Sequence, residues 1–203
     1  MKKIWALSQE YGFKVIEDAS HALGGKYLNK QVGSCEYSHM AIFSFHPVKM
    51  ITTGEGGAIT TNDQELDYRL SLLRTHGITK DASKFINESH GAWYYEQHAL
   101  GFNYRLTDIQ AALGLSQLKR LDSFIKRRKE IADFYLNNLK NVSLPYQHPD
   151  IQSSWHLFVV QVSDREEVFN KLLKRGVQTQ VHYIPVNNQP FYNYKKLENT
   201  ENF

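Results

Sequence analysis

The chain has 203 residues, of which 41% are hydrophobic and 22% are charged, and its formal net charge at pH 7 is +3. These values are ordinary for a soluble globular protein of one or two domains. The basic residues are scattered along the chain, which argues against a nucleic-acid-binding surface. No apolar run is long enough to span a bilayer, and the single cysteine, Cys35, cannot form an internal disulfide, so we expect a cytoplasmic protein.

The first third of the chain alternates between helical and strand-like segments. Residues 4–11 predict a helix that Gly12 ends, because glycine is favoured just past a helix C-terminus. Three β-prone runs follow, and they predict strands at residues 13–16, 41–45 and 57–61. This alternation predicts an α/β layer built on a largely buried sheet.

A helix is predicted directly after the third strand. Asn62, with Glu65 three residues later, has the pattern of a capped helix start. Leu66, Leu70 and Leu73 then follow at the spacing of one helical face. We therefore expect this face to be buried.

The middle of the chain contains an irregular segment and then a long helical pattern. Residues 76–104 are rich in glycine, histidine, asparagine and aromatic residues without a period, which favours a functional or interface role for so long a connection. Thr107 with Gln110 forms a second capping pattern, and apolar positions continue at helical spacing to Leu139. One long helix that links two domains is predicted here.

The pattern changes after Pro145 and predicts a β-α-β unit. Residues 155–162 are expected to form a strand, and residues 177–183 another. Between them, Asp164 with Glu167 predicts the start of a helix that runs to Arg175. This unit predicts a second, smaller α/β domain.

Lys49 is the candidate reactive residue of the chain. An amine becomes a covalent catalyst for carbonyl chemistry when it can lose its proton. If the carbonyl belongs to pyridoxal phosphate, a carboxylate must hold the ring nitrogen protonated and polar groups must bind the phosphate and the ring oxygen. Asp18, His21 and Ser44 are candidates for these roles, although each alone has a plain structural interpretation. Gly54, Gly56 and Gly57 would let the backbone pass close to a ligand, or would simply form a hairpin.

Five motifs in collinear order resemble one protein family, the DegT/DnrJ/EryC1/StrS sugar aminotransferases. The resemblance covers nearly the whole chain, and "SFHPVK" and "QVHY" favour the branch that acts in pseudaminic-acid synthesis. The motifs are VIEDASHALGG (15–25), SFHPVKMITTGEGGAITTN (44–62), LLRTHGI (72–78), LGFNYRLTDIQAALGLSQLKRL (100–121) and VQTQVHYIPV (177–186).

The resemblance implies the fold and its division into domains. The family has fold type I of the pyridoxal-phosphate enzymes, an α/β fold. Residues 1–120 would be the C-terminal part of the large cofactor-binding domain, with a mixed sheet and helices. Residues 121–203 would be a linking helix and part of the small α+β domain. Family members are longer, so the chain is expected to begin near the middle of their large domain.

The resemblance also implies a role for five residues of the cofactor site. Lys49 matches the lysine that binds the cofactor covalently and moves a proton between cofactor and substrate. Asp18 matches the carboxylate that pairs with the pyridinium nitrogen, and His21 matches the position that contacts the ring hydroxyl. Ser44 matches a phosphate-binding hydroxyl. Asn103 matches an asparagine that reaches the phosphate from the neighbouring subunit of a homodimer.

The implied reaction moves an amino group from glutamate to C4 of a nucleotide-linked 4-keto-6-deoxy sugar, here a UDP-4-keto-6-deoxy-N-acetylhexosamine, for surface glycan synthesis. By the same resemblance, His182 and Tyr183 fall in a stretch that in this family approaches the nucleotide sugar. A dehydratase branch has histidine in place of the lysine, so Lys49 favours transamination. No metal is expected.

Two alternatives to a working aminotransferase remain at this point. The chain would be a truncated, non-catalytic family fragment if the upstream phosphate-binding turn and sheet strands are indispensable; it would then serve at most as a cofactor-binding or dimerisation module. A nucleotide-binding α/β module without covalent chemistry is the third interpretation. It is disfavoured because the sequence has no G-x-G-x-x-G or phosphate-loop motif.

Overall fold

A computed structural model describes residues 1–192 of the chain. The described residues divide into two compact units, the first of which is residues 1–159 and the second of which begins at residue 160. No helix in the described part of the chain is both long and apolar enough to cross a membrane. The prediction of a domain division after residue 120 refers to the family fold and stays a prediction.

The first unit contains eight short strands and four of the α-helices. The strands are β1 (Ile16–Asp18), β2 (Lys26–Tyr27), β3 (Lys30–Gln31), β4 (Met40–Ser44), β5 (Gly57–Thr60), β6 (Ile78–Thr79), β7 (Glu96–Gln97) and β8 (Ile151–Gln152). The helices of this unit are α1 (Lys2–Tyr11), α2 (Gln64–Arg74), α3 (Asp108–Leu118) and α4 (Leu121–Asn138). The second unit contains α5 (Arg165–Lys174).

Three small sheets organise the first unit. The main sheet has the order β1-β4-β5, in which β1 runs parallel and β5 antiparallel to the central strand β4. A second sheet, β3-β2-β8, joins two strands near the start of the unit to one near its end. The third is the antiparallel pair β6 and β7 within the segment that has no sequence period. The mixed main sheet agrees with the predicted α/β layer.

The main sheet is buried on one face only, so the prediction of a largely buried sheet is wrong for the described residues. Because side chains alternate along a strand, Ala41 and Phe43 of β4 point into the core, where they are 0% and 6% exposed. Ala19 and Cys35 complete this core cluster. On the opposite face the isoleucines remain accessible, with Ile42 39% exposed. The predicted strands at 41–45 and 57–61 are therefore present, with their ends shifted by one residue.

Local capping explains where α1 and α2 begin and end. Gly12 ends α1 as predicted, in the left-handed conformation, and its N–H donates to the carbonyl of Ser8 at 2.9 Å. The start of α2 differs from the prediction. Asp63, not Asn62, is the N-cap, since its carboxylate accepts hydrogen bonds from the N–H groups of Glu65 and Leu66. The Asn62 amide instead donates to the carbonyl of Ser34.

The predicted buried face of α2 is only partly covered. Leu66 and Leu70 are half-buried, and Leu73 is exposed. The prediction of a buried face is therefore wrong for the described residues.

The predicted strand at residues 13–16 begins later in the structure, at Ile16. His39 explains the shift. Its ring nitrogen Nδ1 accepts from the N–H of Val15 at 3.0 Å, and its own N–H donates to the carbonyl of Val15. A side chain thus takes the place of a strand partner at Val15. Regular pairing with β4 starts at the next residue.

The single long helix predicted after Thr107 is two helices. The predicted capping box is present, because the hydroxyl of Thr107 accepts from the N–H of Gln110 and the Gln110 side chain returns to the N–H of Thr107. The C-terminal end of α3 is a 3₁₀-type turn, in which the N–H of Arg120 donates to the carbonyl of Gln117, only three residues back. α4 begins at the following residue.

The last part of the chain keeps the predicted helix but not the predicted strands. Asp164 caps α5 by accepting from the N–H of Glu167 at 2.9 Å. Residues 155–162 form no strand, and at Trp155 the φ of 52° is incompatible with extended backbone. Residues 177–183 also have no regular strand pairing among the described residues.

Candidate active site

Asp18 and Ser44 lie at the same edge of the main sheet. Asp18 is the last residue of β1 and Ser44 is the last residue of β4, and these strands run parallel. The pairing places both side chains on the face of Ile42, because Asp18 stands opposite Ile42 and Ser44 lies two residues further along. In open α/β sheets, the carboxyl ends of the strands are where ligands bind.

The Asp18 carboxylate is held in its charged form. Its Oδ1 accepts a hydrogen bond from the hydroxyl of Ser20 at 2.6 Å and another from the N–H of Ser20 at 3.1 Å. These bonds lower the pKa of Asp18 below its usual value, and the charges of His21 and Lys49 lower it further. Burial acts in the opposite direction, and the two hydrogen bonds from Ser20 outweigh it. Asp18 is therefore an anion near neutral pH, with Lys49 close enough to act on it.

Lys49 belongs to the connection between β4 and β5, residues 45–56, which we call the lysine loop. Phe45 anchors the loop by two backbone hydrogen bonds, from its N–H to the carbonyl of Gly56 at 2.8 Å and from the N–H of Thr53 to its carbonyl at 3.0 Å. The turn closes where the N–H of Lys49 donates to the carbonyl of His46. The loop therefore continues the hydrogen bonding of the two strands.

Buried side chains fix the far half of the lysine loop. Met50 and Ile51 follow Lys49 directly and are each 4% exposed, and Thr53 is 3% exposed. The Thr53 hydroxyl donates to the carbonyl of Glu55 at 2.7 Å. Lys49 itself is half-buried. The burial of Met50 and Ile51, which follow it directly, fixes the position of the Lys49 backbone.

Helix α3 packs against the lysine loop. The side-chain amide of Gln110 donates to the carbonyl of Glu55 at 2.9 Å. Further along the helix, a Cβ on Gly114 would stand 2.9 Å from the methyl group of Thr53, so glycine allows close packing there. The lysine loop is thus held by contacts from its own strands and from a helix that begins about fifty residues later.

His21 lies in the turn after β1, near Asp18. Its charge is one of the causes of the lowered pKa of Asp18. The imidazole ring of His21 packs against that of His156, with ring centroids 4.3 Å apart. His21 therefore lies with Asp18, Ser44 and Lys49 at one end of the main sheet.

The other predicted site residues lie elsewhere in the chain. Asn103 is exposed and forms an antiparallel bridge with Thr75, at the end of α2. Its predicted role is to serve a neighbouring subunit, which a single chain does not test. His182 and Tyr183 lie in the second unit, and their rings contact each other with centroids 4.6 Å apart. The predicted roles of these three residues stay predictions.

An apolar cleft of about 570 Å³ lies beside the site rather than in it. Asp18, His21, Ser44 and Lys49 do not line it. The walls come from β4, β5, α2 and the segment before α3, and their apolar side chains are Ile42, Ile59, Leu70, Leu73, Phe102 and Leu106. The cleft is the open space over the uncovered face of the main sheet.

Three residues that support the site were missed by the sequence analysis. Ser20 stabilises the charge of Asp18, and its position two residues after a strand-end aspartate was the available signal, because such pairs form local turns. Thr53 and Gln110 hold the lysine loop. No local pattern links Gln110 to Glu55, which is 55 residues away in sequence.

The residues present fit the binding of pyridoxal phosphate in three respects. The ionised Asp18 suits a protonated ring nitrogen. The Ser44 Oγ accepts a weak hydrogen bond of 3.4 Å from the N–H of His46, and within residues 1–192 it donates to no other group. Its proton is therefore available to a phosphate oxygen. The amine of Lys49 stands on a loop that both neighbouring strands fix.

Comparison with known proteins agrees with this chemistry. The family model described as "DegT/DnrJ/EryC1/StrS aminotransferase family" matches residues 1–203. A UDP-4-amino-4,6-dideoxy-N-acetyl-beta-L-altrosamine transaminase of Campylobacter jejuni is 40% identical over 215 aligned positions, which cover 100% of this chain and 54% of that protein. The chain spans about half the length of the curated relatives it matches.

Solved structures match the fold along almost the entire chain. Helicobacter pylori PseC, an aminotransferase involved in the biosynthesis of pseudoaminic acid, superposes with a TM-score of 0.83 at 32% identity, over 99% of this chain and 54% of PseC. Spr1654 of Streptococcus pneumoniae in its PLP-form gives a TM-score of 0.77 at 30% identity, over 92% of this chain and 48% of that one. The predicted fold class is confirmed.

Proposed function

The chain belongs to the DegT/DnrJ/EryC1/StrS aminotransferase family, and from this premise we propose that it carries the lysine half of a pyridoxal-phosphate-dependent sugar aminotransferase site. The reaction moves an amino group from glutamate to C4 of a nucleotide-linked 4-keto-6-deoxy sugar. The observation that carries the proposal is the convergence at one end of the main sheet of Asp18 and Ser44, the last residues of two parallel strands, with the loop that carries Lys49 directly after Ser44.

Each residue of the site has a defined task in this proposal. Pyridoxal phosphate, when bound, supplies an electron sink that stabilises negative charge on the substrate carbon. Asp18 keeps the ring nitrogen protonated, because Ser20 and Lys49 favour its anionic form. Ser44 donates its hydroxyl to the phosphate, and His21 orients the ring oxygen.

Lys49 has two tasks in this proposal. Its side-chain amine would hold the cofactor covalently, and it would move a proton at the substrate carbon as a general acid and base. The lysine loop keeps the Lys49 backbone in one place, since Met50 and Ile51 are buried next to it. The same amine would therefore remain within reach of the bound cofactor and substrate.

The sugar class and the assembly belong to the same proposal. The 40% identity to a transaminase of a UDP-linked amino sugar supports a UDP-4-keto-6-deoxy-N-acetylhexosamine as the substrate. His182 and Tyr183 are proposed to contact this sugar nucleotide. Asn103 is proposed to reach the phosphate of a second subunit in a homodimer.

Covalent trapping of the cofactor tests the proposal directly. Pyridoxal phosphate is added to the folded chain, the visible absorbance of the bound cofactor is recorded, and borohydride then fixes the attachment for peptide mass spectrometry. We expect modification at Lys49 and its loss in Lys49→Ala. The matched control is Lys14→Ala, which removes an exposed lysine before β1 and should leave the absorbance unchanged.

A folded chain that shows no visible absorbance and no modified lysine would refute the proposed cofactor site. It would support the alternative of a non-catalytic family member. Modification spread equally over exposed lysines would also refute the assignment of Lys49. The sugar is tested separately, with UDP- and GDP-linked 4-keto-6-deoxy sugars and glutamate, by measuring 2-oxoglutarate. Amination of the GDP-linked sugar alone would show that the proposed nucleotide is wrong.

A further inference from the structure

His21 lies in a tight backbone turn directly after β1. The turn is closed by the N–H of Ala22, which donates to the carbonyl of Ala19 at 2.9 Å, and these bonds position the backbone. The His21 side chain is exposed. A residue that must orient one oxygen of a bound ring needs its own side chain held from a second direction.

The second direction is supplied by residues 153–156, more than 130 positions later in the sequence. The Ser154 hydroxyl donates to the carbonyl of His21 at 3.3 Å, and Ser154 is 2% exposed. Two residues further, the His156 ring packs on the His21 ring at a centroid distance of 4.3 Å and an interplanar angle of 53°. One bond therefore holds the backbone of His21, and one ring contact limits the rotation of its side chain.

Residues 153–156 are themselves held in place by α4. One nitrogen of the Arg128 guanidinium, Nη1, donates to the carbonyls of Trp155 and His156, both at 3.2 Å. Just before this segment, β8 pairs with β2, which follows the His21 turn in sequence. A continuous series of contacts thus connects α4 to the His21 imidazole through His156.

We propose that His156 is a positioning residue for His21. Ser154 holds the His21 backbone and Arg128 holds the His156 backbone, which keeps the two imidazole rings in contact. His156 fixes the direction in which the His21 imidazole meets the ring oxygen of pyridoxal phosphate. The inference rests on the proposed function, because it takes His21 as the contact to that oxygen. It also predicts an effect on His21 in the absence of cofactor.

A double-mutant cycle tests whether His156 acts through His21. The dissociation constant of pyridoxal phosphate is measured for the full chain, His156→Ala, His21→Ala and the double variant. Loss of one aromatic contact is expected to weaken binding by about threefold to tenfold in His156→Ala. In the His21→Ala background, His156→Ala should add no further loss, since the ring it orients is already gone. His156→Phe keeps an aromatic surface and should retain most of the affinity.

Nuclear magnetic resonance of the histidine side chains gives a readout without cofactor. The Cε1–Hε1 signal of His21 is identified by its disappearance in His21→Gln. It should shift in His156→Ala and in His156→Phe, because each changes the ring current 4.3 Å away. The matched control is His148→Ala, which removes an exposed imidazole just before β8 and should leave the His21 signal in place. If His156→Ala does not fold, His156→Phe carries the comparison.

The outcomes separate the two proposals. If the wild-type chain binds no pyridoxal phosphate, the proposed function fails, and the His21 signal alone decides whether His156 holds the ring. Equal His21 signals in His156→Ala and His148→Ala would overturn the inference. Additive losses of affinity in the double variant would overturn it as well, because His156 would then act independently of His21.

Discussion

The lysine loop contains two glycines with positive φ that differ in their surroundings. Gly54 has a φ of 80°, and a Cβ placed on it would have no heavy atom within 4 Å. Gly56 has a φ of 153°, and its Cβ would stand 2.4 Å from the Thr53 Oγ1 and 3.0 Å from the Leu106 Cδ1. We predict that Gly56→Ala destabilises the chain far more than Gly54→Ala.

The expected difference in unfolding free energy combines a backbone cost at each glycine with a packing cost at Gly56. An alanine in the left-handed region at position 54 costs about 1–2 kcal/mol, offset in part by a less flexible unfolded chain, so the net loss is about 1 kcal/mol. At position 56 the backbone range is almost specific to glycine and costs about 1–3 kcal/mol. Overpacking against Thr53 adds about 1–3 kcal/mol. The Thr53 side chain cannot turn away cheaply, because it is 3% exposed and bonded to Glu55.

Urea denaturation of the two variants measures the difference in the free energy of unfolding. We expect Gly56→Ala to lose about 2–3 kcal/mol more than Gly54→Ala, as a lower midpoint at similar slope. The proposed cofactor attachment should weaken in the same order, because the loop positions Lys49. Equal losses in the two variants would refute the reasoning, since they would mean that the loop relaxes around a new Cβ.

Three further predictions concern single side chains. Burial alone would raise the pKa of Glu96, but hydrogen bonds from its neighbours lower it from 4.5 to about 2. The stabilising effect of ionised Glu96 is therefore complete above pH 4.5 and is lost as the pH falls toward 2. In denaturation experiments, the difference in unfolding free energy between wild type and Glu96→Gln should close over that range. Ser20→Ala should raise the pKa of Asp18 in a carboxyl titration by nuclear magnetic resonance, because the strongest of its hydrogen bonds is removed. Asp63→Ala should lower the unfolding free energy by about 1 kcal/mol through loss of the α2 cap, whereas Asn62→Ala should cost less.

Each of these predictions has a result that contradicts it. A constant stability gap between pH 4.5 and 2 would show that folding does not lower the pKa of Glu96. An unchanged pKa of Asp18 in Ser20→Ala would assign its charge to other groups. A larger loss in Asn62→Ala than in Asp63→Ala would restore Asn62 as the cap. In every case, circular dichroism at neutral pH provides the check that the variant is folded.

Elements with a local cause were predictable from the sequence. The left-handed Gly12 ends α1, the Thr107 capping box opens α3, and Asp164 opens α5, and each of these caps bonds to a residue three or four positions away. The cap of α2 was misplaced by one residue because Asn62 and Asp63 both suit the position. Only the long-range bond from Asn62 to Ser34 decides between them.

Elements that depend on distant partners were predicted less well. Residues 155–162 have the composition of a strand, but Trp155 adopts a left-handed conformation while Arg128 binds its carbonyl. The lysine loop shows the same limit at the candidate site. The family motif predicts Lys49 as the reactive residue, whereas the contact of Gln110 with the lysine loop arises only once the chain is folded.

Neighbouring side chains of β4 point to the hydrophobic core and to the candidate site in turn. The number of residues in this strand is therefore as important as their identity. Phe43 fills the core and Ser44, its neighbour, faces the candidate site. A one-residue insertion or deletion within β4 would exchange these faces, burying the serine and exposing the phenylalanine. Point substitutions at either position leave the other in place. We therefore expect sequence change to accumulate in β4 by replacement and never by a change of length.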